Sequence, residues 1–212
     1  DPVTIAERRL LLQSEVEAAL RRGGNLVIPV FALERTQELL LDLGHLLTTG
    51  AIPDVPVFID SPLAIRVTGV FARHAGDLED TAQANVFDHP AFHFVTDVSG
   101  SVALNSVSGA IIMAASGMCE AGRIRHHLRH NLHRRDSTVL FVGFQAEGSL
   151  GRVILDGAER VRISGEDVNV RAQIRRIDSY SAHADQGELL EWIEGRLPVR
   201  GTVFLDHGEL FV

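Results

Sequence analysis

The sequence holds 212 residues, 45% hydrophobic and 23% charged, with a slightly positive mean hydropathy, the profile of a globular protein with a sizeable core built as one large domain or two small ones. No apolar run reaches the length of about 20 residues that spans a bilayer, and the opening Asp1-Pro2-Val3-Thr4 has no basic stretch followed by an apolar one, so a cytoplasmic location is expected. The lone cysteine, Cys119, excludes a disulfide framework and a multi-cysteine zinc knuckle, and a net charge of −8 excludes nucleic-acid binding through overall charge, leaving only a local site.

Thr4-Ile5-Ala6-Glu7 has capping-box spacing, and Leu10, Leu11, Val16, Ala19 and Leu20 follow before Gly23-Gly24, which predicts an opening helix. A compact apolar run over residues 26–31, helical spacing through Gln37, Leu40 and Leu41, and a second run over residues 55–59 read as strand, helix, strand. The alternation returns as a strand over 110–115, a helix over 117–133, a strand over 138–143 and a short helix after Gly148. Short apolar strands separated by amphipathic helices predict an α/β fold, a mostly parallel sheet covered on both faces. From residue 159 to 177 the pattern becomes β-rich, before a last helix over 185–194 and a strand over 202–205, which predicts a second structural region near the end.

Parallel sheets place ligands at the carboxyl ends of their strands, where helix N-termini offer free N–H groups. Three such junctions stand out: Ala114-Ala115-Ser116-Gly117-Met118, the segment from Gly143 through Gln145 to Ser149, and Ser179-Tyr180-Ser181-Ala182-His183-Ala184-Asp185. Small residues there let a backbone approach a phosphate, and Ser116, Ser149 and Ser181 can donate hydroxyl protons, although Gly and Ser at any one junction also serve as plain turn and cap residues. His183 and His207 sit at loop edges, where histidine can ligate zinc or transfer a proton as well as play a structural part. The segment carrying Arg123, Arg125, His126, His127, Arg129, His130 and His133 is the one strongly basic stretch and could follow an RNA backbone. His126, His130 and His133 share a helical face at metal-compatible spacing, but without a nearby carboxylate a solvated basic face is the preferred reading. All twenty basic residues are arginine, which a GC-rich genome explains as well as selection for bidentate phosphate contacts.

Taken in order, Ile28-Pro29-Val30-Phe31-Ala32 with Arg35-Thr36-Gln37-Glu38, Asp60-Ser61-Pro62-Leu63-Ala64, Ala115-Ser116-Gly117-Met118 with Gly122, Gly143-Phe144-Gln145-Ala146-Glu147-Gly148-Ser149-Leu150, Ser181-Ala182-His183-Ala184-Asp185 and His207-Gly208-Glu209 resemble the β-CASP nucleases of the metallo-β-lactamase superfamily, which include ribonuclease J and the endonuclease of pre-mRNA 3′-end processing. The resemblance covers essentially the whole chain. It implies that residues 1–178 are the β-CASP domain, an α/β insertion that helps hold RNA, and that 179–212 are a returning, incomplete segment of the metallo-β-lactamase core. It also implies a zinc-dependent ribonuclease that hydrolyses RNA phosphodiester bonds with two zinc ions. His183 matches a histidine placed near the scissile phosphate, and His207 one that ligates zinc and is lacking in the family's DNA-processing branch.

RNA contacts are expected at Ser116, Gly117, Ser149, Ser181, Arg123 and Arg129. The family's His-x-His-x-Asp-His signature does not occur in the chain, so the fragment is expected to hold no catalytic zinc and cut no RNA by itself, while its longer parent does both. A homodimer is one expected assembly, since bacterial and archaeal members often pair. A non-catalytic RNA-binding scaffold of the same fold is the alternative. A phosphate loop of the Gly-x-x-x-x-Gly-Lys kind is excluded, because the chain contains no lysine.

Overall fold

The computed structural model describes residues 3–77, 87–180, 184 and 186–204. The chain divides into two compact units, Asp1–Ser181 and Ala182–Val212. In the first, a helix α1 (Ile5–Arg22) opens on the expected capping box: the Thr4 hydroxyl accepts from the Glu7 N–H, and the Glu7 carboxylate accepts from Thr4. Gly23, at φ 82°, ends it in the left-handed conformation. Its buried stripe is Leu12, Val16 and Ala19, whereas Leu10 and Leu11 face outward.

Six parallel strands follow: β1 (Leu26–Pro29), β2 (Val57–Ile59), β3 (Phe92–Phe94), β4 (Ile111–Ala114), β5 (Thr138–Phe141) and β8 (Gln173–Arg176), arranged in the order β3-β2-β4-β1-β5-β8. Alternation within the central strands explains why they read as unbroken apolar runs. Leu26, Ile28 and Val30 enter one core while Val27 enters the other, and Leu140 and Val142 face opposite to Val139 and Phe141. The first core packs α1, α2 (Arg35–Thr48) and α3 (Pro62–Arg73) against one face. The second packs α5 (Ile124–Asn131), α6 (Leu150–Leu155) and an antiparallel hairpin of β6 (Arg160–Ile163) and β7 (Glu166–Asn169) against the other. A short helix α4 (Val98–Ala103) precedes β4.

Three expectations change. The helix predicted over 117–133 is shorter, because residues 116–123 form an irregular loop and α5 starts only at Ile124. The β-rich stretch is not wholly a separate region: β6 and β7 pair only with each other, but β8 returns to extend the main sheet beside β5, in register from Thr138↔Gln173 to Phe141↔Arg176. In the second unit, α7 (Gln186–Glu194) forms as expected, but residues 202–204 are not in a strand. A strand needs a neighbour for its N–H and C=O groups, and no described segment pairs with these residues.

Candidate nucleic-acid interface

The strand order fixes where a ligand would enter. After β1 the chain turns into α2, on the first core's side, and proceeds toward β2. After the neighbouring β4 it turns into α5, on the second core's side, and proceeds toward β5. Adjacent parallel strands whose following helices leave on opposite faces open a crevice at their carboxyl ends, the topological switch point of an open α/β sheet. The register places Phe31, two residues beyond Pro29, level with Ser116, two beyond Ala114. The sequence-predicted Ser116-Gly117 junction therefore lies at the crevice.

The loop there is tightly specified. The Ala115–Ser116 peptide is cis, the Ser116 N–H donates to the Ala121 carbonyl, the Ser116 hydroxyl accepts from the Ala121 N–H, and the Ile124 N–H donates to the Ala115 carbonyl. Gly122 has φ 76°, and a Cβ on it would stand 2.2 Å from the Ala115 carbonyl oxygen. Gly122→Ala is expected to cost about 1–3 kcal/mol in left-handed strain with the backbone clash in addition, read as a lowered urea midpoint at unchanged slope. Gly117 is held as closely, since a Cβ there would meet the Phe31 ring at 2.6 Å. The Gly117 and Met118 N–H groups have no acceptor among the described residues, so two successive donors stand at a strand end, an arrangement that suits an anion. Gln145, beyond β5, ties the second junction to the first: its Nε2 donates to the Gly117 carbonyl at 3.1 Å. Cys119 is buried in the loop and its thiol is pushed up to about 12 by that burial, which makes it a packing residue rather than a nucleophile.

The other sequence-predicted contacts have partners within the fold. Ser149 caps α6, accepting from the Arg152 N–H. Arg129 pairs with Glu166 at 2.5 Å across to the β6–β7 hairpin. Arg123 sits just before α5 and donates to the Asp60 carboxylate at 2.5 Å and to the carbonyls of Val95 and Thr96. Asp60 is the functional-looking residue that sequence reasoning passed over except as part of a motif. Fully buried at the end of β2, it accepts from Arg123 on Oδ1, and from Ser101 at 2.5 Å and His127 at 2.6 Å on Oδ2. An ionised carboxylate only accepts, so His127 presents its Nε2 proton to it. Asp60 thereby anchors the end of the 116–123 loop to the edge of the sheet. An aspartate directly after an apolar strand and before Ser-Pro was the available signal.

His126, His130 and His133 bond locally: His126 Nε2 to Asn105 Oδ1, His130 Nδ1 to the His126 carbonyl, and His133 Nδ1 to the Arg129 carbonyl. Among the described residues no group of three or more His, Cys, Asp or Glu side chains is placed to hold a metal ion. No described helix is long and apolar enough to cross a membrane. Ser181, His183 and His207 lie outside the described residues.

The comparisons with known proteins agree with this architecture. The family model described as the Beta-Casp domain matches residues 36–154, and that described as the Zn-dependent metallo-hydrolase RNA specificity domain matches residues 167–210. A ribonuclease of Thermus thermophilus is 38% identical over 204 residues, which cover 92% of this chain and 45% of the relative. Transcription termination factor FttA of Methanothermobacter thermautotrophicus is 34% identical, with 96% and 34% covered, and an RNase J-like protein of Methanocaldococcus jannaschii is 29% identical, with 97% and 47% covered. The chain thus spans between a third and half of the length of these relatives. With the first family model covering more than half of its residues and an all-parallel α/β sheet to match, the chain belongs to the β-CASP family of the metallo-β-lactamase superfamily.

Proposed function

We propose that this chain is part of a zinc-dependent ribonuclease, in which it supplies RNA-binding surface and part of the rim of the active site. The observation that carries the reading is the switch-point crevice between β1 and β4, with the Ser116-Gly117-Met118 segment following β4 at its carboxyl end. Single-stranded RNA offers phosphate oxygens as acceptors at each step. In this reading residues 1–178 are the β-CASP domain and 179–212 belong to the metallo-β-lactamase domain. Ser116 and Gly117 hold a phosphate, with Ser149, Ser181, Arg123 and Arg129 along the RNA path.

Zinc use is supported by the description of the family model that matches residues 167–210. The described residues do not provide a ligand set for it, so their part is binding and orientation. His207 is proposed as one zinc ligand and His183 as the histidine beside the scissile phosphate, both from the family resemblance. A dinuclear site needs several His and Asp ligands in fixed geometry, which is why the 212 residues alone are expected to leave RNA intact.

The test is zinc-dependent cleavage of end-labelled single-stranded RNA by the complete protein that contains this chain, with matched DNA, a His207→Ala variant and the isolated chain in parallel. RNA cleavage that disappears in the variant and in the isolated chain is the expected result. RNA bound but left intact by the complete protein under zinc or manganese would mean a non-catalytic scaffold instead.

A further inference from the structure

Two aromatic rings that the core does not use stand at the carboxyl ends of β1, which borders the crevice, and of its neighbour β5. Phe31, two residues beyond β1, is 43% exposed, and Phe144, three residues beyond the adjacent β5, is 53% exposed. Exposing one large apolar side chain is ordinary, but these two stand at the carboxyl ends of adjacent strands, in a row leading away from the proposed phosphate site at the end of β4. Both rise from backbone fixed by hydrogen bonds.

The Phe31 ring lies against Gly117, close enough that any Cβ there would collide with it, while its own backbone is fixed by the Val30 N–H to the Ala114 carbonyl and by the Thr36 hydroxyl to the Phe31 carbonyl at 2.6 Å. The Phe144 carbonyl accepts from Gln145 Nε2, the same group that holds the Gly117 carbonyl. Rings seated on rigid backbone with one side open to solvent lose little freedom when a flat partner stacks on them.

We propose that Phe31 and Phe144 are stacking platforms for the bases of single-stranded RNA whose phosphate sits at Ser116-Gly117. The inference rests on the RNA-binding reading above and deepens it: the phosphate site fixes the backbone, and the rings take bases on the β1 and β5 side of it. Stacking on an aromatic face selects single strands, whose bases are free, over duplexes, and tolerates any base because every base has a π-face. A protein surface covering the same rings would need apolarity but not a π-face, which makes the two occupants separable.

The experiment measures binding of fluorescein-labelled oligoadenylate to the complete protein in EDTA, where the strand stays intact, beside an abasic ribose-phosphate strand of equal length. Phe31→Leu and Phe144→Leu, which keep apolar volume and remove the ring, are each expected to weaken oligoadenylate binding about fivefold or more while leaving the abasic strand unaffected. Phe31→Trp is expected to restore it. Unchanged oligoadenylate affinity in the leucine variants, or equal weakening for both strands, would overturn the stacking assignment while leaving RNA binding in place. Wild-type protein that binds neither strand would instead remove the RNA reading itself, and the platforms with it. Thermal melts of each variant identify a fold defect, and the two rings give independent answers if one substitution has one.

Discussion

Asp42→Ala is expected to destabilise the protein by about 3–5 kcal/mol, the cost of deleting one member of a buried charged cluster and leaving the others unpaired. Asp42 lies on α2 and is fully buried, yet its carboxylate holds three donors from elsewhere in the fold. Arg8 and Tyr180 donate to Oδ2 at 2.8 and 2.9 Å, and Arg9 donates to Oδ1 at 2.8 Å. Burial opposes the charge of Arg8, but the bond to Asp42 and the negative charges of Asp42 and Glu38 and the neighbouring Tyr180 together outweigh it and raise the guanidinium above its ordinary value. Burial and then the charge of Asp42 push the Tyr180 phenol upward, so it stays protonated and keeps donating.

Once the carboxylate is gone, the two arginines, partly exposed, can turn toward water, while the fully buried Tyr180 hydroxyl cannot. In a protein of this size the loss corresponds to a fall in melting temperature of about 6–20 °C, measured by calorimetry or circular dichroism. A change under about 1 kcal/mol would show that the cluster is no stronger than a surface ion pair. The cluster ties α1 and α2 to Tyr180, the residue immediately before the Ser181-Ala182-His183 motif, so the same substitution loosens the anchorage of the chain as it leaves the first unit.

Little of this could be read from the sequence, although the framework could. The sheet was legible because β1, β4 and β5 are buried on both faces and therefore read as short apolar runs, and α1 because its capping box and Gly23 bracket it. Between residues 60 and 109 local pattern yields only a motif and not α3, β3 or α4, even though Ser61 followed by Pro62 is a helix-start signal. β3 is three residues long and α4 six, too short for periodicity to register. The helix predicted over 117–133 exceeds α5 because residues 116–123 form a loop whose shape depends on Gly122 and on tertiary hydrogen bonds. The place of β8 beside β5, and the meeting of Asp60 with Arg123 and His127 across more than 60 positions, are long-range facts that local pattern does not encode. The junction at Ser116-Gly117 was legible because chemistry at strand ends is a property of the topology, and the topology follows from the alternation.

Asp60→Ala carries the other large effect, and pH separates its cause from simple loss of packing. The carboxylate is enclosed by Arg123, His127 and Ser101, of which His127 is as buried as Asp60 itself, so truncation is expected to cost about 3–5 kcal/mol in denaturant unfolding. Burial alone would raise the Asp60 carboxyl, but the hydrogen bonds from His127, Ser101 and Arg123 together outweigh it and leave the group below the usual aspartate value of 3.8.

A folded-state value below the unfolded one means that the unfolded chain takes up the proton first. The stability contributed by the charge is therefore complete above about pH 4 and is lost as pH falls from there through the folded value. The difference in stability between wild type and Asp60→Asn should accordingly hold steady near neutrality and shrink only below about pH 4. His126, on α5 beside this cluster, adds a separate arm with the same slope at higher pH. Burial, followed by the neighbouring His130 and His127, depresses it below the usual histidine value of 6.5, so the unfolded state binds its proton first and stability declines as pH drops below that point in both proteins. A wild-type minus Asp60→Asn difference that already collapses between pH 7 and pH 5 would show that the Asp60 charge is not what stabilises this cluster. A difference that survives to pH 4 would place the charge of Asp60 at the root of the loop that carries Ser116 and Gly117.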